Sequence, residues 1–289
     1  MNRRREIIER ISSIRDLPSL PQIVAKVQAE IGSPNATANT MSQIISEDPA
    51  ISIRVLKVAN SPVYSLGKEI SDTKEAVVIL GFQEIYNIVL SMSTLNLFGK
   101  AHHIDYKRFW QHSLSVAFAT KAIVDFAGGD YPRDKKRLAD LFIAGLLHDI
   151  GVLVLDQFLP DKYESVLKEA SATEDLPLYG IEFEHLGITH AEVGSYLLRQ
   201  WHIPEKIVSA VAFHHLPGEA GDSMEISQIV HIANFICNNQ GIDNGVGIPP
   251  ESFSDCAWMN LNMSVDDIAN IITEVRSAAE KSPILMALV

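Results

Sequence analysis

An all-α fold is the class that the sequence predicts, and three observations predict it. Apolar residues recur at helical spacing from the first segment, 7–14, to the last, 264–280. No segment alternates apolar and polar residues in the way of a half-buried strand. Helix-starting signals also recur, among them Pro49 in the first turn of one helix and the capping box that Thr189 and Glu192 form for another.

The individual helices follow from apolar spacing and from the breakers between them. Asp222 and Glu225 form a second capping-box candidate, before a helix that runs through Cys237. The segments 59–71 and 241–250 are interpreted as a loop and a linker. The predicted helices lie near 7–14, 23–31, 40–45, 49–58, 72–80, 82–98, 106–127, 134–150, 152–159 and 161–170, then from Thr189 onward, and near 204–215, 226–237 and 264–280.

Composition narrows the classes of partner and compartment. A formal net charge of −12, with histidine neutral, argues against broad binding to nucleic acid or to an anionic membrane. The small basic group at 3–5 is explained by a solvated helix start. Two cysteines, Cys237 and Cys256, are too few for a disulfide framework and favour a reducing, cytoplasmic compartment. We expect no signal peptide, and no membrane span, because no run of about 18 apolar residues is found.

Ionisable residues at the ends or on the apolar faces of predicted helices are the main functional signal. One helix face carries an imidazole among apolar residues, and the apolar runs 141–147 and 207–213 end in polar pairs. A further imidazole opens the capped helix, where the helix dipole favours the neutral, metal-binding form. These residues are His112, His148, Asp149, His190, His214 and His215.

Two interpretations of this set stay open from the residues alone. A buried carboxylate without a partner is costly, so Asp149 needs either a hydrogen-bonded polar core or a metal ion. Mixed nitrogen and oxygen donors suit iron, manganese, zinc or nickel, and a carboxylate can bridge two ions about 3.5–4 Å apart. The metal interpretation predicts a divalent transition metal, as one or two ions. The remaining histidines are interpreted as surface or ordinary buried residues: His102, His103, His185, His202 and His231.

Several stretches carry a resemblance to a known family. The order His, then His-Asp, then His, then His-His is similar to that of the HD superfamily of metal-dependent phosphohydrolases, in its HD-GYP-like spacing. The stretch HLGITHAEVGSYLLRQWHIPEKIVSAVAFHH (185–215) resembles the HDOD family. So do LPSLPQIVAKV (17–27), IISEDPAISIRVLKVANSPVY (44–64) and AVVILGFQEIYNIVLSMS (76–93), and the resemblance covers about residues 15–240.

This resemblance implies a fold and a set of ligands. The fold would be an N-terminal helical subdomain, 1–100, packed on an HD-like helical subdomain, 101–245, with a C-terminal helical extension, 246–289. The family is bacterial, is often joined to signalling modules, and acts as a regulatory or scaffolding unit. By the resemblance, one ion would face His112, His148, Asp149 and Asn234, and a second would face Asp149, His190, His214 and His215.

Three departures from the enzyme pattern argue against hydrolysis of cyclic di-GMP. The enzymes have an aspartate at the position of Asn234, so the first ion would lose an anionic ligand. They have a lysine after the glycine that follows the His-Asp pair, where this chain has Val152. They carry a Gly-Tyr-Pro loop after the His-His pair, where this chain reads LPGEAGDS (216–223).

Two functions from different classes therefore remain as expectations. The first is a bacterial signalling or regulatory protein with a protein partner, whose metal is structural or vestigial and which does not hydrolyse cyclic di-GMP. The second is a metal-dependent phosphohydrolase, which would take a nucleotide or another phosphoester at the metal. A third interpretation, a polar core without metal, concerns the site itself. The resembling signature at Asn60, Ser61 and Pro62 is explained by capping and turn formation.

Overall fold

The structure, a computed structural model, describes residues 17–60, 69–98, 101–127, 134–172, 176–246 and 263–281. Within these ranges every regular element is an α-helix or a 3₁₀ turn, so the predicted all-α class is confirmed. The predicted helix at 7–14, the basic group at 3–5, the residues Ser61 and Pro62, and Cys256 lie outside the described residues. The described chain forms two compact units, 18–97 and 98–277.

The first unit packs its helices around α5, which is buried from Ile85 to Leu95. α1 contacts α2 and α5, α2 contacts α4, and α3 contacts α4 and α5. Asp48 caps α3 through the backbone N–H groups of Ala50 and Ile51, with Pro49 at the first turn as predicted. The helices are α1 (Gln22–Ile31), α2 (Ala38–Ser46), α3 (Pro49–Ala59), α4 (Thr73–Leu80) and α5 (Phe82–Leu95).

Asn60, which follows α3, forms two hydrogen bonds with the backbone of Ile70, which precedes α4. Its Nδ2 donates to the carbonyl oxygen of Ile70 at 2.7 Å, and its Oδ1 accepts from the Ile70 N–H at 2.8 Å. These two bonds fit the turn-forming role that the sequence predicts for Asn60.

The second unit is built around the long helix α6, which contacts α7 and α13. One apolar cluster joins α6, α13 and α14, so the segment after residue 245 adds Ile271 and Val275 to this core. The finer division at residues 100 and 245 stays a prediction. The helices are α6 (Tyr106–Phe126), α7 (Lys135–Leu147), α8 (Ile150–Phe158), α9 (Pro160–Ala172), α10 (Leu178–Leu186), α11 (His190–Gln200), α12 (Glu205–Ala212), α13 (Met224–Asn239) and α14 (Val265–Lys281).

Two local predictions in this unit are wrong. The apolar pattern did not predict α10, which is short, follows Pro177 and ends before Gly187, whose φ of 71° is left-handed. The capping box proposed for Asp222 is also wrong, because α13 begins after Ser223 without a side-chain cap and Asp222 lies in a 3₁₀ turn. By contrast, the capping box of Thr189 and Glu192 at the start of α11 is confirmed.

One stretch of the described residues, 136–158, is long and apolar enough to cross a membrane by length and composition alone. Almost all of it is buried inside the protein, as in a core helix. This stretch covers nearly all of α7, all of α8 and the polar pair between them, and its apolar side chains pack inside the unit.

A close approach between α8 and α11 holds the two helix starts together. A Cβ added at Gly151 would lie 1.9 Å from the carbonyl oxygen of His190 and 2.7 Å from the backbone nitrogen of Gly194. Because backbone atoms cannot give way cheaply, only glycine fits at position 151. This contact places the start of α8 beside His190.

Candidate metal centre

His148 and Asp149 lie at a break between two helices. α7 ends at Leu147, α8 begins at Ile150, and Asp149 is the N-cap residue of α8. The relative exposure of His148 is 0% and that of Asp149 is 2%. The apolar run therefore delivers a polar pair into the interior of the unit, where an ionised carboxylate requires strong partners.

Imidazole nitrogens surround the Asp149 carboxylate on both of its oxygens. Oδ2 lies 3.3 Å from Nε2 of His148 and 3.8 Å from Nε2 of His112. Oδ1 lies 3.3 Å from Nε2 of His190 and 3.4 Å from Nε2 of His214. His215 joins this second side, because its Nε2 lies 2.7 Å from Nε2 of His190.

Two groups of side chains thus share one carboxylate. We call them the first ligand group and the second ligand group; within each, the ligand atoms lie within 4.8 Å of one another. The first ligand group is His112, His148 and Asp149, and the second is Asp149, His190, His214 and His215.

In three of the histidines, the ring nitrogen that faces away from Asp149, Nδ1, is bound to a backbone carbonyl oxygen, which fixes the orientation of the ring. Nδ1 of His112 lies 2.6 Å from the Ile242 oxygen, and Nδ1 of His148 lies 2.8 Å from the Gly145 oxygen. Nδ1 of His214 lies 2.7 Å from its acceptor, the carbonyl oxygen three residues earlier. A carbonyl oxygen only accepts, so each Nδ1 carries a hydrogen and Nε2 of each ring points inward, where its lone pair can bind a cation.

Glu182 holds His190 and was missed by the sequence analysis. This carboxylate, at 0% exposure, accepts from the backbone N–H and from Nδ1 of His190, both at 2.7 Å. It also accepts from the hydroxyl of Tyr163 at 2.8 Å. An acidic residue on the apolar face of α10, beside Ile181 and Leu186, was the available signal.

The protonation state expected for His190 is wrong for the protein without metal. Burial lowers the pKa of His190, but Glu182 and Asp149 outweigh burial and raise the pKa well above 6.5. The two neighbouring carboxylates therefore dominate the helix dipole, which had favoured the neutral ring. A metal ion would have to displace this proton.

The pKa values of three other histidines are lowered, which favours their neutral form, and the pKa of Asp149 is lowered, which favours its charged form. Burial, and then His148, lower the pKa of His112 to about 4. Burial, and then His215, lower the pKa of His214 to about 3, and burial and His190 lower that of His215. Burial alone would raise the pKa of Asp149, but the imidazoles hold it well below 3.8.

This arrangement fits a bound cation. The Nε2 atoms of His112 and His148 lie 3.3 Å apart, so both can reach one cation. Nε2 of His214 is buried without a hydrogen-bond partner among the described residues, 3.4 Å from the Asp149 carboxylate. Nitrogen lone pairs and a carboxylate that converge in this way are the donor set of a divalent transition metal.

Asn234 forms no side-chain hydrogen bond with either ligand group among the described residues. It is buried, and its Oδ1 accepts from Nδ2 of Asn238, one turn further along α13. A different amide touches the carboxylate, because Nδ2 of Asn244 donates to Oδ2 of Asp149 at 2.9 Å. No sequence pattern marks Asn244, which lies in the irregular segment after α13.

The second ligand group lies closer to solvent than the first. His215 is half-buried, and its ring stacks on Tyr179 of α10, with centroids 4.5 Å apart and planes inclined by 18°. His231, interpreted from sequence as a residue without a chemical role, is buried, and its Nδ1 lies 2.8 Å from the His214 carbonyl oxygen. It supports the turn that carries His214.

Two cationic side chains that lie near the ligand residues in sequence, Lys121 and Arg137, interact with other side chains. The ammonium of Lys121 lies 4.6 Å from the centre of the Phe142 ring, and Arg137 forms an ion pair with Glu225. Val152, at the position of the enzymes' lysine, is fully buried.

Comparison with known proteins is consistent with this architecture. The HDOD domain family matches residues 17–217. A protein of uncharacterised function from Treponema pallidum (strain Nichols) is 26% identical over 222 residues, which are 76% of this chain and 42% of that protein. This chain therefore spans less than half the length of that relative.

Solved structures from three bacteria share the fold. An HDOD domain protein of unknown function from Geobacter sulfurreducens has a TM-score of 0.77 and 24% identity, over 99% of this chain and 96% of that one. A protein provisionally assigned to signal transduction, from Marinobacter aquaeolei VT8, has a TM-score of 0.77 and 19% identity, over 99% and 64%. A protein provisionally described as a phosphohydrolase, from Shewanella amazonensis SB2B, has a TM-score of 0.71 and 20% identity, over 98% and 97%.

Proposed function

We propose that this chain, which belongs to the HDOD domain family, is a bacterial regulatory protein of signal transduction that keeps a divalent transition metal. The metal would be iron, manganese, zinc or nickel, as one or two ions. We further propose that it does not hydrolyse cyclic di-GMP and that it acts in the cytoplasm through a protein partner.

The convergence of five imidazoles on Asp149 carries the metal part of this proposal. A backbone carbonyl oxygen holds Nδ1 of His112, of His148 and of His214, so Nε2 of each ring points into the cluster, where it can bind a metal ion. The second ligand group would hold the tighter ion, because Glu182 adds a negative charge behind His190. When bound, such a metal supplies Lewis acidity and a structural tie among the helices.

The surroundings of the cluster support regulation over hydrolysis. Phosphoryl-transfer sites need groups that neutralise the charge of the phosphate. Lys121 and Arg137 are engaged with other side chains, and Val152 offers no charge. A neutral amide at Asn234 or Asn244 brings no anionic ligand to the first ligand group.

A phosphohydrolase of unknown substrate is the second candidate, and one observation favours it. His215 and Tyr179 are partly exposed beside the second ligand group, so a phosphoester could reach a metal from this side. The flat face of Tyr179 would suit a nucleotide or another aromatic phosphoester. Because the net charge is −12, we propose no binding to nucleic acid or to anionic membranes.

Turnover assays on metal-loaded protein separate the two candidates. Wild type and Asp149→Asn would be incubated with each of the four metals and assayed with cyclic di-GMP and with bis(p-nitrophenyl) phosphate. We expect no metal-dependent turnover of cyclic di-GMP by either protein. If wild type turns over either substrate at about 1 per second or faster, and Asp149→Asn does not, the regulatory assignment is wrong.

A further inference from the structure

Segment 241–246, which follows α13, is anchored against the start of α6. The Ile242 carbonyl oxygen accepts from Nδ1 of His112 at 2.6 Å, and Asp243 forms an ion pair with Arg108. The backbone N–H of Asp105 donates to the Gly245 carbonyl oxygen at 3.3 Å. These contacts hold the segment on both sides of Asn244.

Gly245 makes this close approach sterically feasible. Its φ is 77°, in the left-handed region, and a Cβ there would lie 2.5 Å from the Asp105 carbonyl oxygen. Only glycine satisfies both conditions without strain. The contacts of Ile242, Asp243 and Gly245 with α6 and Asp105 therefore fix the backbone on both sides of Asn244.

Asn244 occupies the place beside Asp149 that a further ligand of the first ligand group would take. Its Nδ2 lies 2.9 Å from Oδ2 of Asp149, the oxygen that also faces Nε2 of His112 and of His148. Rotation of the terminal amide exchanges nitrogen and oxygen without moving the backbone. The present bond of Oδ1, from the Val246 N–H at 3.3 Å, is long and easily given up.

From this placement we infer that Asn244, and not Asn234, supplies the amide oxygen that completes the first ligand group as a metal site. The inference rests on the proposed function, since it requires the chain to bind metal. Asn234 already uses its Oδ1 within α13, where it accepts from Asn238. Because an amide is neutral, the first ligand group binds its ion more weakly than the second ligand group does.

Titration with Mn²⁺ tests this assignment, because amide and carboxylate oxygens suit this ion. Free Mn²⁺ would be followed by electron paramagnetic resonance in wild type, Asn244→Ala, Asn244→Asp and Asn234→Ala. We expect wild type to take about one tight and one weaker equivalent. Asn244→Ala should weaken the second equivalent about tenfold or more, and Asn244→Asp should strengthen it.

Asn234→Ala serves as the matched control and should leave both equivalents unchanged. Thermal melting of the metal-free variants shows whether each one is folded, and Asn244→Asp gives a second readout if Asn244→Ala unfolds. Loss of the weaker ion in Asn234→Ala, or its retention in Asn244→Ala, overturns the inference alone. A wild type that takes only the tight ion does the same, whereas one that takes no ion overturns the proposed function as well.

Discussion

At the scale of single residues, the outer hydrogen bonds decide what the imidazoles can do. Each of His112, His148 and His214 has an Nδ1–H bound to a carbonyl oxygen, so the inward nitrogen is free to bind a cation. His190 differs, because its outer partner is the carboxylate of Glu182. That partner makes the inward nitrogen of His190 more basic and therefore a stronger ligand.

Substitution of Glu182 tests this positioning role. We expect Glu182→Gln to lower metal affinity about 10- to 100-fold, because the amide keeps the shape but removes the charge behind His190. Isothermal titration with Zn²⁺ measures the change. Glu184→Gln is the matched control, since Glu184 lies on the same helix and is exposed. Equal affinities for wild type and Glu182→Gln would contradict the role.

The sequence predicted the inward-facing residues better than their supports. Six residues follow a recognisable order along the chain, and the structure brings them together: His112, His148, Asp149, His190, His214 and His215. Asn244 lies 95 residues from Asp149 in an irregular segment, so no periodicity could relate the two. Whether these six residues bind metal stays a prediction, and in the proposed site Asn244 takes the place that the sequence predicted for Asn234.

At the scale of helices, three kinds of helix terminus meet at the centre. The break between α7 and α8 supplies His148 and Asp149, the capped start of α11 supplies His190, and the turn after α12 supplies His214. Helical periodicity and caps are local signals, which is why the sequence predicted most helices. The missed helix α10 is short and carries Glu182 on its buried face, so its apolar pattern is interrupted.

The contact between α8 and α11 should control both stability and metal binding. Gly151→Ala places a methyl group against the His190 backbone, and we expect a loss of about 1–3 kcal/mol in unfolding free energy. The shift of α11 should also weaken metal binding. Denaturant unfolding and Zn²⁺ titration measure the two effects. Gly218→Ala, where an added Cβ meets nothing within 4 Å, should change neither; an unaltered Gly151→Ala would contradict the packing argument.

At the scale of the whole molecule, the buried imidazoles predict acid sensitivity of the metal-free protein. The pKa values of His112, His214 and His215 are lowered, so the unfolded chain binds protons that the folded chain does not between pH 6.5 and about 4. Stability therefore falls as the pH falls through this window. His190 contributes to stability with the opposite dependence on pH. Because its pKa is raised in the folded protein, it stabilises the fold below pH 6.5, and this stabilisation is lost as the pH rises through the raised pKa.

With three groups lowered and one raised, we expect Tm to decrease from pH 7 to about 4.5 in the presence of a chelator. Calorimetry across this range measures the change. His102→Gln is the matched control and should keep the decrease, because His102 is exposed and belongs to neither ligand group. A Tm that is constant or rises on acidification would show that the buried rings do not govern the pH dependence.

The metal content of protein purified without a histidine tag is the most direct test of the central claim, that the Asp149 cluster holds a divalent transition metal. Wild type and Asp149→Asn would be incubated with iron, manganese, zinc or nickel, desalted and measured by elemental analysis. We expect wild type to retain about one equivalent or more of at least one metal, and Asp149→Asn to lose most of it. Less than about a tenth of an equivalent of every metal in wild type would contradict the claim and leave the cluster as a polar core.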